Sequence, residues 1–112
     1  MLPASVRILV CTVPQDMRRS FDALGLVVQQ LLGESPQSGA LYVFLCKRLR
    51  RAKVLWWDKN GYCLLYKRLH RAFFYLAELG DADGPAVRID GQALRELLAG
   101  VAKEQKEKQH LN

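Results

Sequence analysis

Apolar residues recur along this chain in two rhythms, and the switches between them mark its elements. Val6 to Val13 (VRILVCTV) is a β-branched run that stops at Pro14, the pattern of a strand. The spacing then changes. Met17, Phe21, Leu24, Val28, Leu31 and Leu32 recur mostly at steps of three and four, which lays one apolar stripe along a helix over residues 17–32. Asp16 is placed to cap this helix, a Thr12–Gln15 capping box competes for its start, and Gly33 suits its end. Glu34 to Gly39 (ESPQSG) is turn-rich.

Residues 41 to 76 return to strand chemistry. LYVFLC is followed by basic KRLRRAK, then VLWW, DKNG and YCLLYKRL. Asn60-Gly61 between two aromatic and β-branched runs predicts a hairpin. The segment therefore reads as a three-stranded antiparallel meander. Its second strand covers about Lys53 to Trp57 and its third about Tyr62 to Leu69, and His70 to Leu76 can add a short strand. After the GDADGP loop, Val87 to Ile89 is a further strand. Asp90 then caps a last helix with Leu94, Leu97, Leu98 and Val101 on one face and Gly100 near its end. The fold class expected is α+β: a single domain over residues 1–102, with both helices packed on a mostly antiparallel sheet of four or five strands. Residues 103–112 (KEQKEKQHLN) read as a charged, flexible tail.

With 112 residues, half of them apolar, the chain can bury one small core. A chain of this size hides roughly two-thirds of its unfolded surface. It is too short for a dinucleotide-binding α/β enzyme, a barrel enzyme or a nucleotidyl-transferase fold with its own carboxylate site. No run reaches the roughly 18 apolar residues that a membrane span needs. Arg7 sits inside the first apolar run instead of before it, which argues against a secretory signal and for a cytoplasmic protein. Cys11, Cys46 and Cys63 are odd in number and each lies in an apolar run, as reduced thiols do. They lack the spacing of a zinc site, and neither His70 nor His110 supplies it, so no metal and no cofactor are expected.

Charge changes this picture more than composition does. The chain carries a formal net charge of +6, but unevenly. Between Lys47 and Arg71 stand nine basic residues and one acid, while the rest of the chain holds eight basic and ten acidic residues. If Trp57 faces Tyr62 in the hairpin, Lys53 faces Tyr66, Arg51 faces Arg68, and Arg48 falls near Arg71. Lys47, Arg48, Arg50, Arg51, Lys53, Lys67, Arg68 and Arg71 then gather at one end of the meander, with Lys59 and Asp58 at the other. Like charges so placed repel, and a phosphate backbone would relieve them. Guanidinium forks, which suit phosphate, dominate the cluster. Arg18 and Arg19 oppose the dipole at the start of the first helix and are second candidates for an anion. As solvated charges, the same residues would only protect sheet edges.

Nine of the ten aromatic residues fall between Tyr42 and Tyr75, interleaved with this charge. Strand aromatics usually pack inward, yet Trp56 and Trp57 must point to opposite faces, so one of them needs cover beyond the main core. No catalytic residues are expected. The chain has no Gly-x-Ser-x-Gly elbow, no Walker-type loop and no His-Glu-x-x-His, and Asp16, Asp22 and Asp58 each have a local role as cap, helix surface and turn.

The order of motifs resembles a known family. Pro14-Gln15-Asp16-Met17-Arg18-Arg19-Ser20-Phe21-Asp22-Ala23-Leu24 is similar to its Asp-Met-Arg-Arg/Lys-x-Phe-x-x-Leu signature. Ser38-Gly39-x-Leu41-x-Val43-Phe44, then Lys53-Val54-Leu55-Trp56-Trp57-Asp58-x-x-Gly61-Tyr62-Cys63-Leu64 and Tyr66-Lys67-Arg68-Leu69, follow in the same order. Leu94-x-x-Leu97-Leu98-x-Gly100 completes it. The resemblance is to the small TnpB accessory proteins of bacterial transposons of insertion-sequence family 66, which are distinct from the RNA-guided nuclease of the same name. It covers residues 6–101 and implies a protein that supports transposition without strand chemistry. Here the loop after Phe44, Cys46 to Lys53, lacks the acid that the family pattern carries. Two functions of different class follow as expectations. One is DNA binding through the basic end of the meander. The other is an adaptor that docks on the transposase or a second small accessory protein through Trp57.

Overall fold

The computed structural model describes residues 6–102, so the expected tail lies outside the described residues. Strands β1 (Ile8–Cys11), β2 (Leu41–Leu45), β3 (Arg51–Asp58), β4 (Gly61–Arg68) and β6 (Ala86–Ile89) form one five-stranded sheet in the order β4-β3-β2-β1-β6. The β1–β2 pair is parallel, joined by a crossover through α1 (Phe21–Gln30), and the other pairs are antiparallel. A second, two-stranded ribbon pairs β5 (Ala72–Phe73) with β7 (Val101–Ala102), which directly follows α2 (Gly91–Ala99). The α+β architecture and the meander agree with the sequence.

Each face of the sheet carries one helix. Leu9, Cys11, Tyr42, Phe44 and Leu55 pack with Leu24, Val27 and Val28 of α1. Ile8, Val10, Leu41, Val43, Ala52 and Val54 pack with Leu94 and Leu97 of α2 and with Phe74. This is why β2 reads as an unbroken apolar run instead of an alternating one: all five of its residues are buried. Trp56 and Trp57 divide as pleating requires. Trp56 packs against the α2-side core, and Trp57 meets Tyr62 edge-on at 5.0 Å on the other face.

The meander register matches the expected pairing: Trp57 faces Tyr62, Lys53 faces Tyr66, and Arg51 faces Arg68. The turn follows from the same register. Asp58 pairs with Gly61, which leaves Lys59 and Asn60 in the loop, and Lys59 takes the left-handed conformation at φ +55°.

Two expectations are corrected. The first helix starts at Phe21, not at residue 17. Asp16 does not cap it. Its carboxylate accepts the Arg18 N–H at 2.8 Å and its carbonyl accepts the Arg19 N–H at 3.1 Å, closing a separate turn before the helix. Met17 is buried from that turn, so its apolar spacing imitated one more helical step. Thr12 caps nothing, and its hydroxyl donates to the Gly84 carbonyl at 2.7 Å. The second correction concerns His70 to Leu76, where only Ala72–Phe73 is strand, paired outside the main sheet. Asp90 caps α2 as expected, accepting the Ala93 N–H at 2.8 Å.

Candidate nucleic-acid interface

The parallel β1–β2 pair decides where the chain's basic loops meet. Both strands end at the same edge, so the segment after β1 and the β2–β3 turn emerge side by side. The Gln15 N–H donates to the Leu45 carbonyl at 2.9 Å and ties them together. Between them opens a cleft of about 860 Å³, lined by Pro14 to Arg18 on one wall and by Cys46, Lys47, Arg48, Arg50 and Arg51 on the other, with Tyr66 at its side. A second recess of about 250 Å³ continues past Tyr66, between Arg51 and Arg68. The carboxyl ends of parallel strands are also where open α/β sheets hold their ligands.

The β2–β3 turn is built to project cations. The Cys46 N–H donates to the Arg51 carbonyl at 3.0 Å and the Leu49 N–H to the Cys46 carbonyl at 3.0 Å, a four-residue loop. Leu49 closes it at φ +60°, costly for a γ-branched residue by about 1–2 kcal/mol. Its side chain packs on the α2-side core, and its carbonyl accepts the Phe74 N–H at 2.7 Å. With Leu49 anchored inward, Lys47, Arg48 and Arg50 are left exposed. The Arg50 guanidinium lies 5.5 Å from the Phe73 ring centroid.

Among the described residues Asp16 is the one carboxylate lining the cleft, and it is already engaged. The Arg18 guanidinium donates to both its oxygens, at 3.1, 3.0 and 2.6 Å. These bonds, with the Arg18 backbone N–H, hold the Asp16 carboxyl down at about 2. At neutral pH the pair is a neutral unit. Lys47, Arg48, Arg50, Arg51 and Arg68 have no ion pair among the described residues. Cys46 faces the same cleft. Burial pushes its thiol up, but hydrogen bonding from the backbone N–H groups of Arg50, Arg51, Arg48 and Leu49 outweighs burial and brings it below the ordinary thiol value.

The structure thus gathers part of the expected set. Arg18, Lys47, Arg48, Arg50, Arg51 and Arg68 line the two recesses. Lys53 serves the fold instead. It is 6% exposed, and its ammonium donates to the Arg19 carbonyl at 2.6 Å and stands 4.9 Å from the Tyr66 ring centroid. Lys67 points to the opposite face, where its ammonium donates to the Leu98 carbonyl at 2.7 Å near the C-terminal end of α2. A cation there also complements the helix dipole. Arg19 and Arg71 are exposed but do not line the cleft, and Trp57 is half-buried against Tyr62. Sequence reasoning named Arg18 but missed its pairing with Asp16 as one wall, and missed Cys46 and Tyr66 as cleft residues. The signal available was the β1–α1–β2 order, since a parallel pair would have placed residues 14–18 beside residues 46–51.

Comparison with known proteins follows the same outline. Residues 6–108 match the family model described as IS66 Orf2 like protein. The uncharacterized protein y4hO of Sinorhizobium fredii is 39% identical over 103 residues, covering 90% of this chain and 87% of the relative. The uncharacterized protein y4jC of the same organism is 31% identical over 96 residues, covering 86% and 80%. No solved structure shows a significant match.

Proposed function

The chain belongs to the IS66 Orf2-like family, a non-catalytic accessory group of transposition, and on that premise we propose that it binds DNA through the cleft between residues 14–18 and 46–51. The observation that carries the reading is a concave surface where five cations meet no free carboxylate among the described residues. Lys47, Arg48, Arg50, Arg51 and Arg68 act as phosphate contacts, which position a protein on DNA without reading sequence. Arg18 lines the same cleft, but its charge is already balanced by Asp16. Lys53 and Lys67 support the surface from beneath instead of touching the ligand. Among the described residues, no group of three or more His, Cys, Asp or Glu side chains could hold a metal ion. None of the described helices is long and apolar enough to cross a membrane.

The adaptor reading has less to draw on. Phe21, Leu26 and Leu31 are the exposed apolar residues of the α1 region. They recur every fifth position, and each such step turns roughly 140° around a helix, so they form no common stripe. Trp57 is half covered by its own hairpin partner. A dock for the transposase or a second accessory protein remains the reading that a failed DNA experiment would favour.

The test is binding of the purified chain to a duplex carrying the element's terminal repeat and to a scrambled duplex, across a salt series. Arg48→Ala/Arg51→Ala/Arg68→Ala is measured alongside. Each phosphate contact contributes about 0.9 to the slope of log K against log salt, so the triple variant should flatten that slope by about 2 to 3. A folded wild-type protein that binds neither these duplexes nor their separated strands at low salt would sink the reading and send the search to the transposase. Equal binding to both duplexes would mean phosphate contact alone, and preference for the repeat would add sequence recognition.

A further inference from the structure

We infer that the cleft takes an unpaired DNA strand, with Tyr66 as the platform on which one base stacks. The inference rests on the DNA-binding reading above and specifies the form of DNA that this site accepts.

The argument starts from where Tyr66 stands. It lines both recesses and is 51% exposed, so it forms the rib between them. Arg68 lies two residues further along β4 on the same face, at about 7 Å by strand geometry. Arg51 is opposite Arg68 across the ladder. Lys47 and Arg48 line the larger recess with Tyr66. A ring with cations on both sides is the pattern that tracks a single strand, base on the aromatic and phosphates on the flanking charges.

The ring is also held in place. Lys53 faces it across the β3–β4 ladder, with its ammonium over the ring at 4.9 Å. That ammonium is fixed in turn by the Arg19 carbonyl at 2.6 Å. One side of the tyrosine is therefore clamped by a buried cation, and the other is the side that a base would take. This immobilises the platform before the ligand arrives, which lowers the ordering cost of binding.

Duplex DNA fits the arrangement poorly. Paired bases present only their edges in the grooves, and their flat faces are covered by neighbours. A ring set between two recesses, with arginines standing on both sides, reaches a base face only if that base has left the stack. The volume of about 860 Å³ is that of a site for a few nucleotide units and not of a seat for a double helix.

The experiment uses the full chain and an unstructured thymine-rich strand, free and annealed to its complement, with affinities from fluorescence anisotropy. Tyr66→Phe, Tyr66→Ala and Tyr66→Leu are compared. Tyr66→Leu keeps apolar cover over Lys53 should Tyr66→Ala fail to fold, and thermal melting verifies each variant. The wild type should bind the free strand more tightly than the duplex. Removing the ring should weaken single-strand binding by about 5- to 150-fold and duplex binding by much less, with Tyr66→Phe close to wild type. Duplex binding as tight as single-strand binding overturns the inference and leaves the DNA reading standing. So does a folded Tyr66→Leu variant with undiminished single-strand affinity. Binding to neither form overturns both.

Discussion

Lys53 and Arg51 stand two residues apart on β3 and face the same side of the sheet, yet their charges have opposite fates. The Arg51 guanidinium is exposed in the cleft, whereas the Lys53 ammonium is buried against the Arg19 carbonyl and the Tyr66 ring. Lys53→Met keeps most of the apolar stem but leaves that carbonyl without its donor. It should cost about 1–3 kcal/mol, the penalty for an unsatisfied buried polar group. Arg51→Ala should leave stability within about 0.5 kcal/mol, as surface substitutions do. Urea unfolding of both variants checks the contrast, and equal stabilities would mean that water replaces the lysine at the Arg19 carbonyl. The sequence could not separate the two residues. It counts both as basic positions of one alternating strand, and the difference arises only because the turn after β1 folds over Lys53.

Elements are held at their ends by single residues, and two of these make sharp tests. Gly100 ends α2 at φ +80°, and a Cβ there would stand 2.7 Å from Leu69 Cδ1 and 3.2 Å from the Phe73 carbonyl oxygen. Gly33, past the end of α1, has φ +66° but nothing within 4 Å of the same position. Gly33→Ala should therefore cost only the left-handed backbone penalty of about 1–2 kcal/mol. Gly100→Ala should cost more, because the β5–β7 ribbon must also shift. Equal melting temperatures for the two variants would show that Leu69 yields freely. The second test is the clasp between β1 and the loop after α1. The Arg7 guanidinium donates to both Glu34 oxygens at 3.2 and 2.7 Å, and the Tyr42 hydroxyl donates to Glu34 at 3.2 Å. The Arg7 hydrogen bond holds the Glu34 carboxyl below its usual range. A depressed folded value means that this stabilisation is complete above the unfolded carboxyl value and disappears as pH falls through the folded one. Glu34→Gln should thus lower stability at pH 7 by about 0.5 kcal/mol, modest because the pair is partly exposed. The difference should vanish in acid. A gap that persists below both values would assign the effect to packing around Tyr42. Both ends were half legible. Gly33 and Gly100 announce helix stops in the sequence, but the partners that make one of them irreplaceable lie 31 and 27 residues upstream of Gly100, at Leu69 and Phe73.

Across the whole molecule the same uneven charge that marks the site also works against the fold. The meander and its register were legible because aromatic and β-branched alternation, together with the DKNG turn, leave little freedom in how β3 and β4 align. That alignment forces Arg51 opposite Arg68, both exposed, with no carboxylate paired to either among the described residues. The cleft itself was only indirectly legible, because it depends on β1 and β2 running parallel, which the strand–helix–strand order hints at and no single residue of either strand signals. Like charges directly opposite one another on a sheet destabilise it by about 0.2–1 kcal/mol. Arg68→Glu replaces this repulsion with a cross-strand attraction. It should stabilise the protein by about 0.5–1 kcal/mol, which for a domain of roughly this size raises the melting temperature by about 2–8 °C. The same substitution places a carboxylate beside Tyr66, so affinity for DNA should fall at every salt concentration while the fold improves. Higher stability with undiminished affinity would remove Arg68 from the interface. No gain in stability would mean that solvent already screens the pair. A gain in stability matched by a loss of binding would show that the repulsive pair is kept for its ligand, the trade-off expected where a site asks for an arrangement that folding alone would reject.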